Sequence, residues 1–275
     1  MSINIQLQPN QKVYFASDFH LGVPDKEGSL VRERKIIRWL DEIKHDAGHI
    51  FLVGDIFDFW YEYRQVIPKG FIRFQGKLAE LRDMGIPISF FSGNHDIWLF
   101  DYFTEELGIP IYRRNQEVRI NNLKIELGHG DGLGPGDYTY KFLQKLFESK
   151  TCQFLFSRLH PNMALWFGYT WSMSRKKKKN IRVSPIKSKE NELLWLYARE
   201  VESKNHHDYY IFGHRHLPLN LEVAENSRYV NLGEWMWSYT YGVCDGETVE
   251  LRTFEKNDLE KANTNKARTQ QGKQD

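Results

Sequence analysis

Val13-Tyr14-Phe15-Ala16-Ser17-Asp18-Phe19-His20 reads as a buried strand running without a break into an Asp-x-His pair. The same join of an apolar, β-type run to a polar cluster recurs four more times. Ile50 to Val53 runs into Gly54-Asp55-Ile56-Phe57-Asp58. Ile86 to Phe91, with Pro87 near its start, runs into Ser92-Gly93-Asn94-His95-Asp96. Val118 to Leu127, broken at Asn121-Asn122 like a hairpin, runs into Gly128-His129-Gly130-Asp131, and Tyr209 to Phe212 into Gly213-His214-Arg215-His216. Between the first two strands Leu30, Ile37, Leu40 and Ile43 recur at helical spacing, and near the end Val243 to Phe254 turns at Asp245-Gly246. Short strands alternating with helical patterns predict a layered α/β architecture. In open α/β sheets the carboxyl ends of the strands converge on one crevice, where residues far apart in sequence meet.

The five clusters carry side chains of the kind that ligate metals. Asp18 and His20 are one residue apart, so an extended backbone would point both to one side, and the same holds for His214 and His216. Glycines beside Asp55, Asn94, His129 and His214 suit turns in which the backbone passes close to a bound ion. Any one cluster arises easily as an ordinary turn. All five in this order, each after a strand, do not.

The set Asp18-x-His20, Gly54-Asp55-x-x-Asp58, Gly93-Asn94-His95-Asp96, His129 and Gly213-His214-x-His216 resembles the calcineurin-like metallophosphoesterases, over roughly Val13 to Phe254. The resemblance implies a four-layer αββα sandwich with two divalent ions at the strand ends. One ion would take Asp18, His20, Asp55 and His216; the other would take Asp55, Asn94, His129 and His214, with Asp55 shared. Mixed imidazole, carboxylate and amide donors suit Mn²⁺, Fe or Zn²⁺ without choosing among them and fit Mg²⁺ alone poorly; Mn²⁺ is the ion expected. Two ions about 3.5–4 Å apart lower the pKa of a shared water and neutralise the phosphoryl charge that repels it, so hydrolysis of a phosphate bond is the expected chemistry. His95 is expected to hydrogen-bond a phosphoryl oxygen or protonate the leaving group, with Asp96 fixing its tautomer. Asp58 and Asp131 are expected to hold ligating residues in place. His45, His49, His160, His206 and His207 fall outside the motifs and read as surface or structural.

Asp18-Phe19-His20-Leu21-Gly22, Asp55-Ile56-Phe57-Asp58-Phe59-Trp60 and Asn231-Leu232-Gly233-Glu234-Trp235 are more specifically similar to the UDP-2,3-diacylglucosamine pyrophosphatases of lipid A synthesis. That resemblance implies cleavage of the lipid nucleotide to UMP and 2,3-diacylglucosamine 1-phosphate. It also implies an inserted helical lid over residues 137–190, within a core of 1–136 and 191–254. Asn94, His95, His214 and Asp137 would contact substrate, with Asn180, Lys187 and Lys189 as further contacts from the lid. His95 departs from the pattern, since many of those enzymes carry Arg there. An anhydride's leaving group is already a stabilised phosphate and needs little protonation, whereas His permits acid catalysis on poorer leaving groups.

Composition narrows the rest. The chain has 275 residues, and 38 Lys+Arg against 36 Asp+Glu leave a net charge of +2, not the surface of a general nucleic-acid binder. Hydrophobic residues make up 41%, enough for a substantial core. Two cysteines, Cys152 and Cys244, give no disulfide framework. Met1 to Asn10 lacks the order of a secretion signal, and no apolar run reaches the roughly 18 residues of a spanning helix, so a cytoplasmic location is expected. Within the insert, Met163 to Trp171 is apolar and aromatic, and the eight basic residues from Arg175 to Lys189 follow without an acid until Glu190. Such a composition settles at an anionic membrane surface, so peripheral contact with the inner face of the cytoplasmic membrane is expected. Residues 255–275 are too polar to bury a core and read as disordered. The competing readings are a metallophosphodiesterase or phosphatase for another nucleotide, and a non-catalytic scaffold on the same fold, which would tolerate loss of ligands; none is missing. Nucleic-acid binding through the basic run lacks any base-stacking motif. Oligomeric state is not legible.

Overall fold

The computed structural model describes residues 2–136, 138–178 and 188–255. Two six-stranded sheets lie against each other. In the first, β2 (Lys12–Ala16), β3 (Ala47–Val53), β4 (Ile88–Phe91) and β5 (Ile111–Tyr112) are parallel neighbours, and the antiparallel pair β11 (Thr240–Cys244) and β12 (Val249–Thr253) extends the sheet beyond β2. The second has the order β1 (Ile3–Ile5), β6 (Gln116–Ile120), β7 (Leu123–Leu127), β8 (Tyr209–Phe212), β10 (Ser227–Asn231), β9 (Leu219–Ala224). Within it β7, β8 and β10 run parallel.

Period-two alternation sorts these strands into layers. Val13, Phe15, Phe51, Val53 and Phe91 of the first sheet pack on Val118, Ile125, Leu127, Ile211 and Val230 of the second. The intervening Tyr14, Ala16, Ile50, Leu52 and Phe90 face outward, onto α1 (Lys26–Ile43), α2 (Ile72–Asp83) and α3 (Tyr102–Leu107). Helix α1 starts at Asp25, whose carboxylate accepts the N–H of Gly28 at 2.7 Å, and buries Ile36, Trp39, Leu40 and Ile43 at helical spacing. Across the molecule Tyr210, Phe212 and Tyr229 face α7 (Leu193–Glu202) through Leu194, Trp195 and Ala198. The order helix, sheet, sheet, helix is the four-layer αββα sandwich that the resemblance implies. Each Val, Leu, Ile or Phe among them, fully buried, contributes about 1.5–3 kcal/mol.

Three further helices, α4 (Tyr138–Glu148), α5 (Lys150–Ser157) and α6 (Pro161–Lys178), follow β7 in the chain. They account for the aromatic run at Phe57 to Tyr63. Phe57 and Trp60 turn inward and stack at 4.3 Å, whereas Phe59 and Tyr61 meet Phe156 of α5, and Phe59 also meets Tyr169 of α6. Tyr61 Oη donates to the Gln153 carbonyl at 2.8 Å, and Trp98 Nε1 to that of Phe147 at 2.9 Å. Two expectations shift at the boundaries. The third strand begins at Ile88 because Pro87 has no N–H to give a ladder. Glu255, expected in the tail, is tied to Lys35 at 3.2 Å and Arg38 at 2.7 Å on α1. The rest of the expected tail, 256–275, lies outside the described residues.

Candidate metal centre

All five polar clusters sit at carboxyl ends of strands, but the strands belong to two sheets. Asp18 and His20 follow β2, Asp55 follows β3 and Asn94 follows β4, in the first sheet; His129 follows β7, and His214 and His216 follow β8, in the second. Backbone hydrogen bonds stitch the loops together. Asp18 and His20 donate N–H to the carbonyls of Gly54 and Asp55 at 3.0 and 2.9 Å, and Gly213 donates to His129 at 3.0 Å.

The extended geometry expected for the Asp-x-His pairs is corrected. Asp18 and His20 have φ of 57° and 45°, Asp55 has 53°, and His214 and His216 have 64° and 53°. Five of the seven expected ligands therefore occupy the left-handed region, where a non-glycine residue costs of order 1–3 kcal/mol, at the low end for Asp and His. Strain of this size at one spot is a mark of a functional site. The strand stops at Ala16 and the chain coils, so both side chains reach the same point by turning, not by alternation.

The ligand atoms converge in two overlapping groups. Donor atoms of Asp18, His20, Asp55 and His216 all lie within 4.8 Å of one another, and so do those of Asp55, His129 and His214. Asp55 belongs to both. His20 Nε2 lies 3.0 Å from His216 Nε2 and 3.7 Å from Asp55 Oδ2, His216 Nε2 lies 3.0 Å from Asp18 Oδ1, and His129 Nε2 lies 3.4 Å from Asp55 Oδ2. Imidazole orientation is fixed from behind. His129 Nδ1 is 2.9 Å from the Val53 carbonyl and His20 Nδ1 is 3.1 Å from Asp58 Oδ1; neither oxygen can donate, so both Nδ1 atoms carry the proton and both Nε2 atoms face the cluster.

The donor set fits divalent cations. Asn94 Oδ1 is buried and makes no hydrogen bond among the described residues, and the buried Asp18 Oδ1 and His129 Nε2 face other ligand atoms of the cluster, His216 Nε2 and Asp55 Oδ2, a costly arrangement unless something else binds them. Electrostatics agree. Burial alone would raise the Asp55 carboxyl, but His129, His95 and His20 around it hold it well below its ordinary range. Burial would lower His129 and His216, yet Asp55 and Asp18 beside them raise both. These are imidazoles that need a positive charge at Nε2, whether from a proton or a metal. His214 goes the other way, lowered to about 4 by burial and by His129, and so stays neutral and available as a ligand. The backbone leaves room for nothing more: a Cβ on Gly93 would stand 2.3 Å from Asp55 Oδ1, and one on Gly213 2.5 Å from Asp18 Oδ2.

Around this centre the expected roles are partly redistributed. Asp58, besides meeting His20, accepts a hydrogen bond from Ser172 Oγ of α6 at 2.5 Å. Replacing it with Asn would turn or free the His20 ring, and Asp58→Asn is expected to weaken metal binding about 10–100-fold, measured by titration of the metal-free protein. Asp131 accepts from Gln144 Nε2 at 2.9 Å. The pairing of Asp96 with His95 is corrected. The Asp96 carboxylate is fully buried and takes the N–H groups of Gly93, Asp55, Ile56 and Phe57 at 2.7 to 3.3 Å, so it shapes the Asp55 loop. His95 Nδ1 meets the Asp58 carbonyl at 2.9 Å, and that carbonyl sets its tautomer. His95 also donates its N–H to Asp55 Oδ1 at 2.8 Å. Lys189 Nζ lies 5.2 Å over the Trp195 ring of α7. Asp137, Asn180 and Lys187 lie outside the described residues, and Lys189 alone of the eight basic residues has a described side chain.

Several residues that hold the centre gave no motif. Arg32 of α1 donates to the His20 carbonyl at 2.6 Å. Glu192, fully buried, holds Arg215 between the two histidines with two contacts of 3.0 Å. Glu234 accepts the N–H groups of Trp237 and Ser238 at 2.9 and 2.7 Å, forming the turn whose Trp235 N–H reaches the Asp18 carbonyl. Only Glu234 stood in a stretch that could have pointed to it.

The two-sheet sandwich with a shared carboxylate among histidines at its strand ends is the arrangement expected of a metallophosphoesterase, and a model of the calcineurin-like phosphoesterases matches residues 11–218. The chain belongs to that family and is a metal-dependent hydrolase that uses divalent ions. Among curated relatives it is 37% identical over 260 residues to a UDP-2,3-diacylglucosamine hydrolase of Porphyromonas gingivalis, covering 89% of this chain and 98% of the relative. It is 28% identical over 256 residues to the protein of that name from Vibrio parahaemolyticus, covering 87% and 98%. A solved phosphoesterase of E. coli, Yfce, aligns over 89% of this chain and 94% of its own, at 16% identity and a TM-score of 0.43.

Proposed function

We propose that the chain hydrolyses the pyrophosphate bond of UDP-2,3-diacylglucosamine, adding water across the anhydride to give UMP and 2,3-diacylglucosamine 1-phosphate, a step of lipid A synthesis. The observation that carries this reading is a cavity of about 320 Å³ that opens beside the metal cluster at Asn94 and His95 and is walled by Phe59, Trp98, Leu143, Phe147, Phe156 and Phe167. It lies between the core and helices α4 to α6, the segment read as the lid. A small phosphoester would gain nothing from such walls; acyl chains gain about 0.8 kcal/mol for each buried CH₂.

Two divalent ions, Mn²⁺ by preference and Fe or Zn²⁺ by the same donor chemistry, would be held by Asp18, His20, Asp55 and His216 and by Asp55, Asn94, His129 and His214, supplying charge neutralisation and an activated water. The protein's own part is positional. Asp58 and the Val53 carbonyl aim His20 and His129, Asp96 shapes the Asp55 loop, and His95, with Nδ1 committed to the Asp58 carbonyl, presents Nε2 to the phosphoryl group. Contact with a membrane surface is supported by Phe142 and Leu146 on α4 and by Met163 and Trp166 on α6, all exposed and apolar. No helix among the described residues is long and apolar enough to cross a membrane.

The test is product analysis by phosphorus NMR with the lipid nucleotide and Mn²⁺. Wild type is expected to yield UMP and the sugar 1-phosphate. His95→Ala is expected to lose less than about tenfold in kcat, because an anhydride needs little of the 10²–10⁴-fold that general acid catalysis supplies. Wild type that leaves the lipid nucleotide intact while cleaving small diesters would replace this reading with a phosphodiesterase.

A further inference from the structure

We propose that a second, more polar cavity on the His129 side of the cluster receives the nucleoside half of the substrate. The inference rests on the pyrophosphate reading and adds where the two halves of the molecule lie. The two cavities that flank the cluster differ in chemistry, one walled almost wholly by apolar side chains and the other by polar and apolar side chains in about equal measure. The one reached through Asn94 and His95 is apolar, as described; the other, about 270 Å³, is bounded by His129 and Asp131 on the cluster side and by Tyr112, Arg114, Gln144 and Tyr197 farther out. Gln144 of α4 borders both, and its amide is pinned to Asp131, so one side chain divides them.

A lipid nucleotide has the same polarity along its length. Its acyl end would leave the polar groups of the mixed cavity without partners, and its uridine end, rich in donors and acceptors, would lose its hydrogen bonds among aromatic walls. With the anhydride at the metals, only one orientation avoids both penalties: acyl chains toward Phe59 and Trp98, uridine toward Tyr112. The mixed cavity also matches a pyrimidine in kind. Tyr112 is braced by Phe91, their rings 5.2 Å apart and 34° from parallel, and offers a flat face for stacking. Arg114 is largely exposed and, among the described residues, its guanidinium meets the half-buried carboxylate of Glu148 at 3.0 Å, so it is able to turn to a uracil carbonyl. Its neighbour Arg113 is not, being spent on the carbonyls of Ile97 and Leu99. Asp131 is an acceptor suited to ribose hydroxyls. The phosphate of UMP would then lie toward Asp55, His129 and His214, and the sugar phosphate toward Asn94 and His95.

Calorimetric titration of the full chain in Mn²⁺, with UMP and separately with inorganic phosphate, tests the assignment without requiring turnover. Wild type is expected to bind UMP at least about tenfold more tightly than phosphate, and Tyr112→Ala and Arg114→Ala each to cut that preference to about threefold or less. Arg114 is a surface residue, so its variant stands even where loss of Tyr112 disturbs β5. Equal affinity for UMP and phosphate in wild type, or a preference unchanged in both variants, overturns the inference. If UMP is preferred and the preference falls as expected while the lipid nucleotide is not cleaved, the substrate reading fails and the nucleotide site remains.

Discussion

Asp55→Ala is expected to lose about 10³-fold or more in kcat and to bind fewer metal ions than wild type, whichever phosphate ester is supplied. The carboxylate is the one group common to both donor clusters, and it is buried with His20, His129 and the His95 N–H directed at it. Metal assistance is worth several kcal/mol of transition-state stabilisation, and each 1.4 kcal/mol is a factor of ten. Removing Asp55 also leaves imidazoles facing each other without the charge that drew them together. Steady-state kinetics and elemental analysis on the same preparation check both parts. A variant that kept two ions per chain would show that Asp55 is not shared.

Gly93→Ala is expected to be nearly as damaging although it removes no ligand. The added methyl would stand 2.3 Å from Asp55 Oδ1 and 2.5 Å from the Asp55 nitrogen, contacts that no rotamer relieves because the methyl has none. Either the Asp55 loop moves or the β4 loop does. Both are also bound by the Asp96 carboxylate, so displacing one pulls on the other. Overpacking of this kind costs about 1–3 kcal/mol of stability, and a shift of about 1 Å in a catalytic group costs about 10²-fold in rate. Urea unfolding and kcat measured together separate the two effects. An unchanged kcat in a folded protein would mean that the loops yield without moving Asp55.

The sequence and the structure agree most closely where local and long-range forces point the same way. Val13 to Ala16, Ile50 to Val53 and Tyr209 to Phe212 are strands in both because β-type residues there are also buried on both faces. The short edge strands β1, β5 and β9 left no comparable signal, since half-exposed residues in two- to six-residue runs look like loop. At the site the residue types were legible and their posture was not. Nothing in Asp18-Phe19-His20 announces a left-handed φ at both ends, because that conformation is imposed by Gly54 and Asp55 carbonyls from the neighbouring loop. Asp96 illustrates the same limit. Its place next to His95 suggested a pair, yet adjacent residues point apart, and four backbone N–H groups from two loops outbid the imidazole. Arg32 and Glu192 act on the site from helical or turn positions whose sequence gives no reason to single them out.

Anomalous scattering from a crystal of the full chain grown with Mn²⁺ bears most directly on the central claim. Two peaks are expected, one among Asp18, His20, Asp55 and His216 and one among Asp55, Asn94, His129 and His214. A single peak, or manganese bound elsewhere with these seven side chains empty, would contradict it.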